Sequence, residues 1–88
     1  MDAVAQDMDL VMRDMAVGDS GRITGFREGA AAYRRKLLAL GLTKGTAFRV
    51  TRVAPLGDPV EITVRGFSLS LRRDEAEIVL VARDGVEA

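Results

Sequence analysis

The side chains of greatest chemical reach in this chain are cations: Arg34, Arg35 and Lys36 in an unbroken run, Arg49 and Arg52 three apart, and Arg72 and Arg73 as a pair. Groups at such spacing can grip carboxylates or phosphates, and an arginine supplied in trans can assist phosphoryl transfer on a partner, with Arg72 and Arg73 as candidates. The same charges serve equally as ordinary solvated surface. The residue types speak against catalysis by the chain itself. With no His and no Cys there are no imidazole bases, thiolate nucleophiles or disulfides, and the soft metal ligands reduce to four Met residues within the first fifteen positions. The acids are scattered, and the serines lack a base. Gly18-Asp19-Ser20-Gly21 is too short for a phosphate-binding loop and lacks its lysine. The expectation is a non-enzymatic protein with no cofactor and no metal site.

A second feature is the elbow Ala54-Pro55-Leu56-Gly57-Asp58-Pro59, which contains both prolines of the chain. Proline fixes φ and pushes the residue before it toward extended geometry, so Ala54 and Asp58 stay extended while Leu56 and Gly57 make the bend. A stiff loop loses little entropy on docking, so Leu56 reads either as an exposed apolar anchor or as a residue folded over the end of the sheet. Asp58 reads as an acceptor for the elbow's own backbone, with ligation of a hard cation as the alternative. Tyr33 beside Arg34 offers a ring and a hydroxyl to a partner, although its place on an apolar stripe also suits core packing.

The elements that must position these residues are short. At 88 residues the chain is one small domain. The pattern predicts strands at 22–27, 46–53, 60–65, 67–72 and 78–82. Gly25 marks a bulge in the first, and a phase break at Arg52 bends the second. The helix spans about residues 30–40, with Ala30, Tyr33, Leu37 and Leu40 on one stripe and Gly41 as its stop. Asp74 to Glu77 has the spacing of a capping box for one further turn. The economical architecture is a mainly β, small SH3-like antiparallel barrel of about five strands with one inserted helix, closed or nearly closed. Residues 1–9 read as a flexible lead, 10–82 as the folded body and 83–88 as a loose tail.

The net charge of zero conceals a segregation. Residues 1–20 carry five acids and one base, 21–73 eleven bases and three acids, and 74–88 five acids and one base. A basic middle between acidic ends suits an acidic protein surface better than nucleic acid, because aromatic residues are not spaced for stacking on the strand faces. Asp2, Asp7 and Asp9 stand where a signal peptide would need bases, and the longest apolar run, 78–82, is too short to enter a membrane.

Taken together, Ala32-Tyr33-Arg34-Arg35-Lys36-Leu37-Leu38-Ala39-Leu40-Gly41-Leu42, Gly45, Arg52-Val53-Ala54-Pro55-Leu56-Gly57-Asp58-Pro59 and Ser68-Leu69-Ser70-Leu71-Arg72 resemble the FeoA family of bacterial ferrous iron transport. The resemblance runs from about Asp14 to Val81. It departs at Arg65-Gly66-Phe67, which adds a glycine, and at Met15, where Leu is usual. It implies an SH3-like barrel with a helical insertion in a cytoplasmic, non-enzymatic partner of the FeoB transporter, whose N-terminal portion binds GTP. FeoB-type docking would then involve Tyr33, Arg34, Arg35, Lys36, Pro55, Leu56, Gly57, Asp58, Pro59, Arg72 and Arg73, with membrane association only through that partner. The same module ends metal-dependent repressors of the DtxR type, so a regulator or nucleic-acid-associated module is the alternative. Self-association through a short sheet edge is also open.

Overall fold

Apolar residues alternate along 60–64, so Val60, Ile62 and Val64 are buried on one face while Glu61 and Thr63 point away. This is one strand of a five-stranded sheet in the computed structural model, which describes residues 10–29 and 31–84. The strands are β1 (Ser20–Phe26), β2 (Ala47–Val53), β3 (Val60–Val64), β4 (Phe67–Leu71) and β5 (Val79–Arg83), all antiparallel, in the order β4-β3-β2-β1-β5. Helix α1 (Ala31–Ala39) is inserted between β1 and β2, the one-turn helix α2 (Arg73–Ala76) between β4 and β5, and a 3-10 turn at Met12–Asp14 precedes β1.

The expected closure into a barrel is corrected. The sheet is open between β4 and β5. The outer edge of β5 is occupied by the start of the described chain: Val81 donates its N–H to the Leu10 carbonyl at 2.9 Å, and Val11 bridges Leu80. With that edge taken, β4 has no ladder to close onto. Met12 and Met15 pack into the core from the same segment.

Two bends fall where glycine and the phase break put them. The β1–β5 register shifts between Ile23 and Gly25, and the β2–β3 register shifts between Val50 and Arg52. Strand bounds differ by a residue or two from those expected, and Arg83 belongs to β5. Ala30, residues 1–9 and residues 85–88 lie outside the described residues, so the lead and the end of the tail are not placed.

Helix α1 ends as its sequence demands. Gly41 takes φ 94°, the Leu42 N–H bonds to the Leu37 carbonyl at 3.1 Å, and the Gly41 N–H bonds to the Leu38 carbonyl at 3.0 Å. This paired bonding with a left-handed glycine closes the helix and folds Leu42, fully buried, back beneath it. The expected apolar stripe is only partly covered. Leu37 is completely buried, but Tyr33 and Leu40 are 39% and 37% exposed, so of the three only Leu37 is fully covered. The capping box is also displaced: the helix it opens begins at Arg73, and Glu75, not Glu77, accepts the N–H of the capping residue Arg72.

Candidate functional site

The elbow between β2 and β3 is set by its prolines. Ala54 (φ −71°, ψ 162°) and Asp58 (φ −144°, ψ 113°) are extended, as the residue before a proline must be, and the bend falls on Leu56 and Gly57. The Gly57 N–H closes the turn onto the Ala54 carbonyl at 2.8 Å, and Ala54 in turn donates to Pro59 at 3.1 Å. Leu56 adopts φ 69°, ψ 10°, a left-handed conformation that costs a side-chain-bearing residue about 1–2 kcal/mol. Its side chain gains no burial in return. Leu56 is 92% exposed, which removes the reading of a residue folded over the sheet. A strained, exposed, apolar residue on a fixed turn is the kind of position found at binding sites.

Asp58 does not serve the elbow's own backbone. Its Oδ1 accepts the Arg73 N–H at 3.2 Å and lies 3.6 Å from Arg72 Nε, so it ties the elbow to the start of α2. These three residues, with Asp74 and Glu77, line a recess of about 400 Å³. The structure thus brings Pro55, Leu56, Gly57, Asp58, Pro59, Arg72 and Arg73 into one neighbourhood.

The α1 residues connect to it through an acid that the sequence reading did not single out. Glu75 is 3% exposed; its Oε1 accepts the Arg72 N–H at 2.8 Å and its Oε2 accepts from Lys36 Nζ at 2.5 Å. Burial raises the Glu75 pKa, but the hydrogen bonds from Lys36 and Arg72 and the charges of both hold it below the ordinary carboxylate value. Counting the box from Arg72 in place of Asp74 is the signal that would have found it. Lys36 is therefore engaged within the fold.

Arg34 points elsewhere, into a groove of about 340 Å³ between α1 and β1 lined also by Thr24, Gly25, Phe26, Leu38 and Lys44; Arg35 and Ala31 continue its rim. Tyr33 is partly exposed on the same helix. Arg49 and Arg52 are exposed on β2, Arg52 standing opposite Glu61 on β3. The candidate residues thus divide between an elbow–α2 cluster and a basic helix face, with the Lys36–Glu75 pair between them.

An open five-stranded antiparallel sheet with a helix after its first strand defines the class as a small SH3-like domain. A profile of the FeoA domain matches residues 10–83, and the chain belongs to the FeoA family. Among relatives, a fusion of Fe(2+) transport protein A with the Fe(2+) transporter FeoB from Porphyromonas gingivalis is 31% identical over 64 residues, 69% of this chain and 8% of that protein. The chain thus spans a small fraction of that relative's length. The solution structure of the FeoA protein from Chlorobium tepidum is 35% identical with TM-score 0.77, covering 90% of this chain and 74% of that one. The FeoA-like protein from Clostridium acetobutylicum is 29% identical with TM-score 0.79, covering 90% and 91%. A manganese-dependent transcriptional repressor, at 15% identity and TM-score 0.76 over 82% of this chain and 35% of that one, shares the fold alone. Among the described residues, no helix is long and apolar enough to cross a membrane.

Proposed function

We propose that this chain is a non-enzymatic, cytoplasmic accessory of ferrous iron uptake that docks on the FeoB transporter through the elbow–α2 cluster. The observation that carries the reading is Leu56, held in a left-handed conformation at 92% exposure between two prolines. The P. gingivalis fusion, in which one chain carries both proteins, supports FeoB as the partner. In the docked state Leu56 is the apolar anchor, with Arg72 and Arg73 beside it meeting acidic groups at the rim. The basic face of α1 forms a second, more peripheral contact.

The test is an NMR titration of the isotope-labelled chain with the soluble GTP-binding domain of FeoB from the same organism, with and without nucleotide. Shifts centred on residues 54–59 and 72–73, with smaller ones at 33–35, are expected, and Leu56→Asp should weaken binding by more than ~1 kcal/mol with the spectrum of the sheet unchanged. Unchanged affinity in that variant would retire Leu56 as an anchor. No shifts at high concentration would move the docking surface off this domain of FeoB.

A further inference from the structure

The open side of the sheet leaves β4 with one neighbour, β3, among the described residues. Arg65 (φ 51°) and Gly66 (φ 88°) make a two-residue turn, with Val64 and Phe67 paired on either side of it. In such a hairpin the flanking pair exchanges both backbone hydrogen bonds, and bonded and non-bonded pairs alternate from there. Phe67, Leu69 and Leu71 therefore face their N–H and C=O groups toward β3. Ser68 and Ser70 face theirs outward, and both residues are exposed. The edge thus offers two donors and two acceptors in line.

Its side chains are as open as its backbone. Phe67 stands opposite the buried Val64, yet is 46% exposed, and Leu69 opposite the fully buried Ile62 is only half-buried. No charged or proline residue interrupts Phe67–Leu71 to discourage pairing, which is how exposed edges are ordinarily protected. Cations bracket the strand: Arg65 in the turn, and Arg72 and Arg73 beyond its other end. Among the described residues neither Arg65 nor Arg73 has an ion-pair partner. Asp58 accepts the Arg73 backbone N–H and Asp74 follows Arg73 in the chain, but neither is ion-paired with its guanidinium, and Glu61 lies one strand further in, opposite Arg52.

We infer that the outer edge of β4 is a strand-addition site for an extended segment of a partner protein, apolar at alternate positions and acidic at both ends. Such a segment bonds to Ser68 and Ser70, covers Phe67 and Leu69 with its alternate side chains, and places its acids against Arg65 and Arg73. A second copy of this chain is a poorer occupant. Pairing about Leu69 satisfies the same four backbone groups but brings Arg65 of each copy toward Arg73 of the other, a like-charge contact.

The probe is a blocked nonapeptide of alternating valine and threonine with two glutamates at each end, added to the full chain and followed by amide hydrogen exchange. The Ser68 and Ser70 amides should slow at least tenfold at saturation, while those of Phe67, Leu69 and Leu71, already bonded to β3, change little. The same peptide with lysine ends should leave Ser68 and Ser70 unaffected. Ser70→Pro removes one outward donor and no bond to β3, so a folded Ser70→Pro chain should lose the peptide, and Arg65→Asn, which suits the turn, should weaken it about tenfold. Three results would overturn the inference: exchange unchanged by the acidic peptide, slow Ser68 and Ser70 exchange in the dilute chain alone, or protection that appears with protein concentration and no peptide. The last two would assign the edge to the chain's own residues or to a second copy. FeoB takes no part in this experiment, so its failure leaves the elbow reading standing.

Discussion

Glu75 is an acid with 3% of its side chain exposed, and it holds together three parts of the site: Lys36 from α1, the Arg72 backbone and, through Arg72 and Arg73, the Asp58 elbow. Its folded pKa is lowered, whereas in the unfolded chain the carboxyl returns to the ordinary glutamate value. A carboxylate of depressed native pKa contributes its full stability above the unfolded value, and the contribution disappears as pH falls from there through the native one. Urea unfolding between neutral and acid pH should show stability declining below that unfolded value, and Glu75→Gln should flatten that limb while costing roughly 1.5–3 kcal/mol at pH 7. An acid limb unchanged in the variant would mean that another carboxylate produces it. Leu56 is the opposite kind of residue, adding strain and no burial to the fold.

At the scale of elements, the two turns on either side of β3 do different work. The Arg65–Gly66 turn fixes the register that leaves Ser68 and Ser70 outward, while the elbow fixes Leu56 and hands Asp58 to α2. On the other side of the sheet, β1 and β5 approach so closely that a Cβ on Gly21 would lie 2.3 Å from the Ala82 carbonyl oxygen. That contact is backbone, which cannot rotate away. Gly21→Ala should therefore force β1 from β5 and cost about 1–3 kcal/mol, read as a lowered urea midpoint, with the exchange of β5 amides accelerated ahead of those in β3. A neutral Gly21→Ala would show that the two strands can part without loss.

For the whole molecule, zero net charge divides into acidic ends and a basic middle, and the cations of the proposed docking face fall in the middle. Rim charges of this kind act over about a Debye length, roughly 10 Å at 0.1 M salt. Affinity for the FeoB GTP-binding domain should fall as salt is raised from 50 to 500 mM, chiefly through slower association, with the contribution of Leu56 nearly unchanged. Calorimetry of the wild type and the uncharged Leu56→Ala at both salts checks the affinities, and stopped-flow mixing the association rate; salt-independent affinity would remove the arginines from the interface. The open seam has its own consequence at this scale, since an edge that is neither paired nor charged is left for another chain.

The sequence by itself determined the elements that depend on neighbours a few residues away. The helix stop at Gly41, the elbow at Pro55 and Pro59, the bulge at Gly25 and the alternation of β3 are local consequences of backbone preference and period, and each stands where it was expected. The family, too, was legible, because its residues recur in order. Only the tertiary structure decided which apolar residues are covered and which charges meet. Nothing near Leu56 in sequence says whether a neighbour folds over it, and Tyr33 lies on a stripe whose burial depends on how closely α1 meets the sheet. Closure of the barrel turned on Leu10 and Val11 occupying the β5 edge, and the Glu75 pair on contacts 39 residues apart. Those are long-range pairings, whose partners no local pattern names.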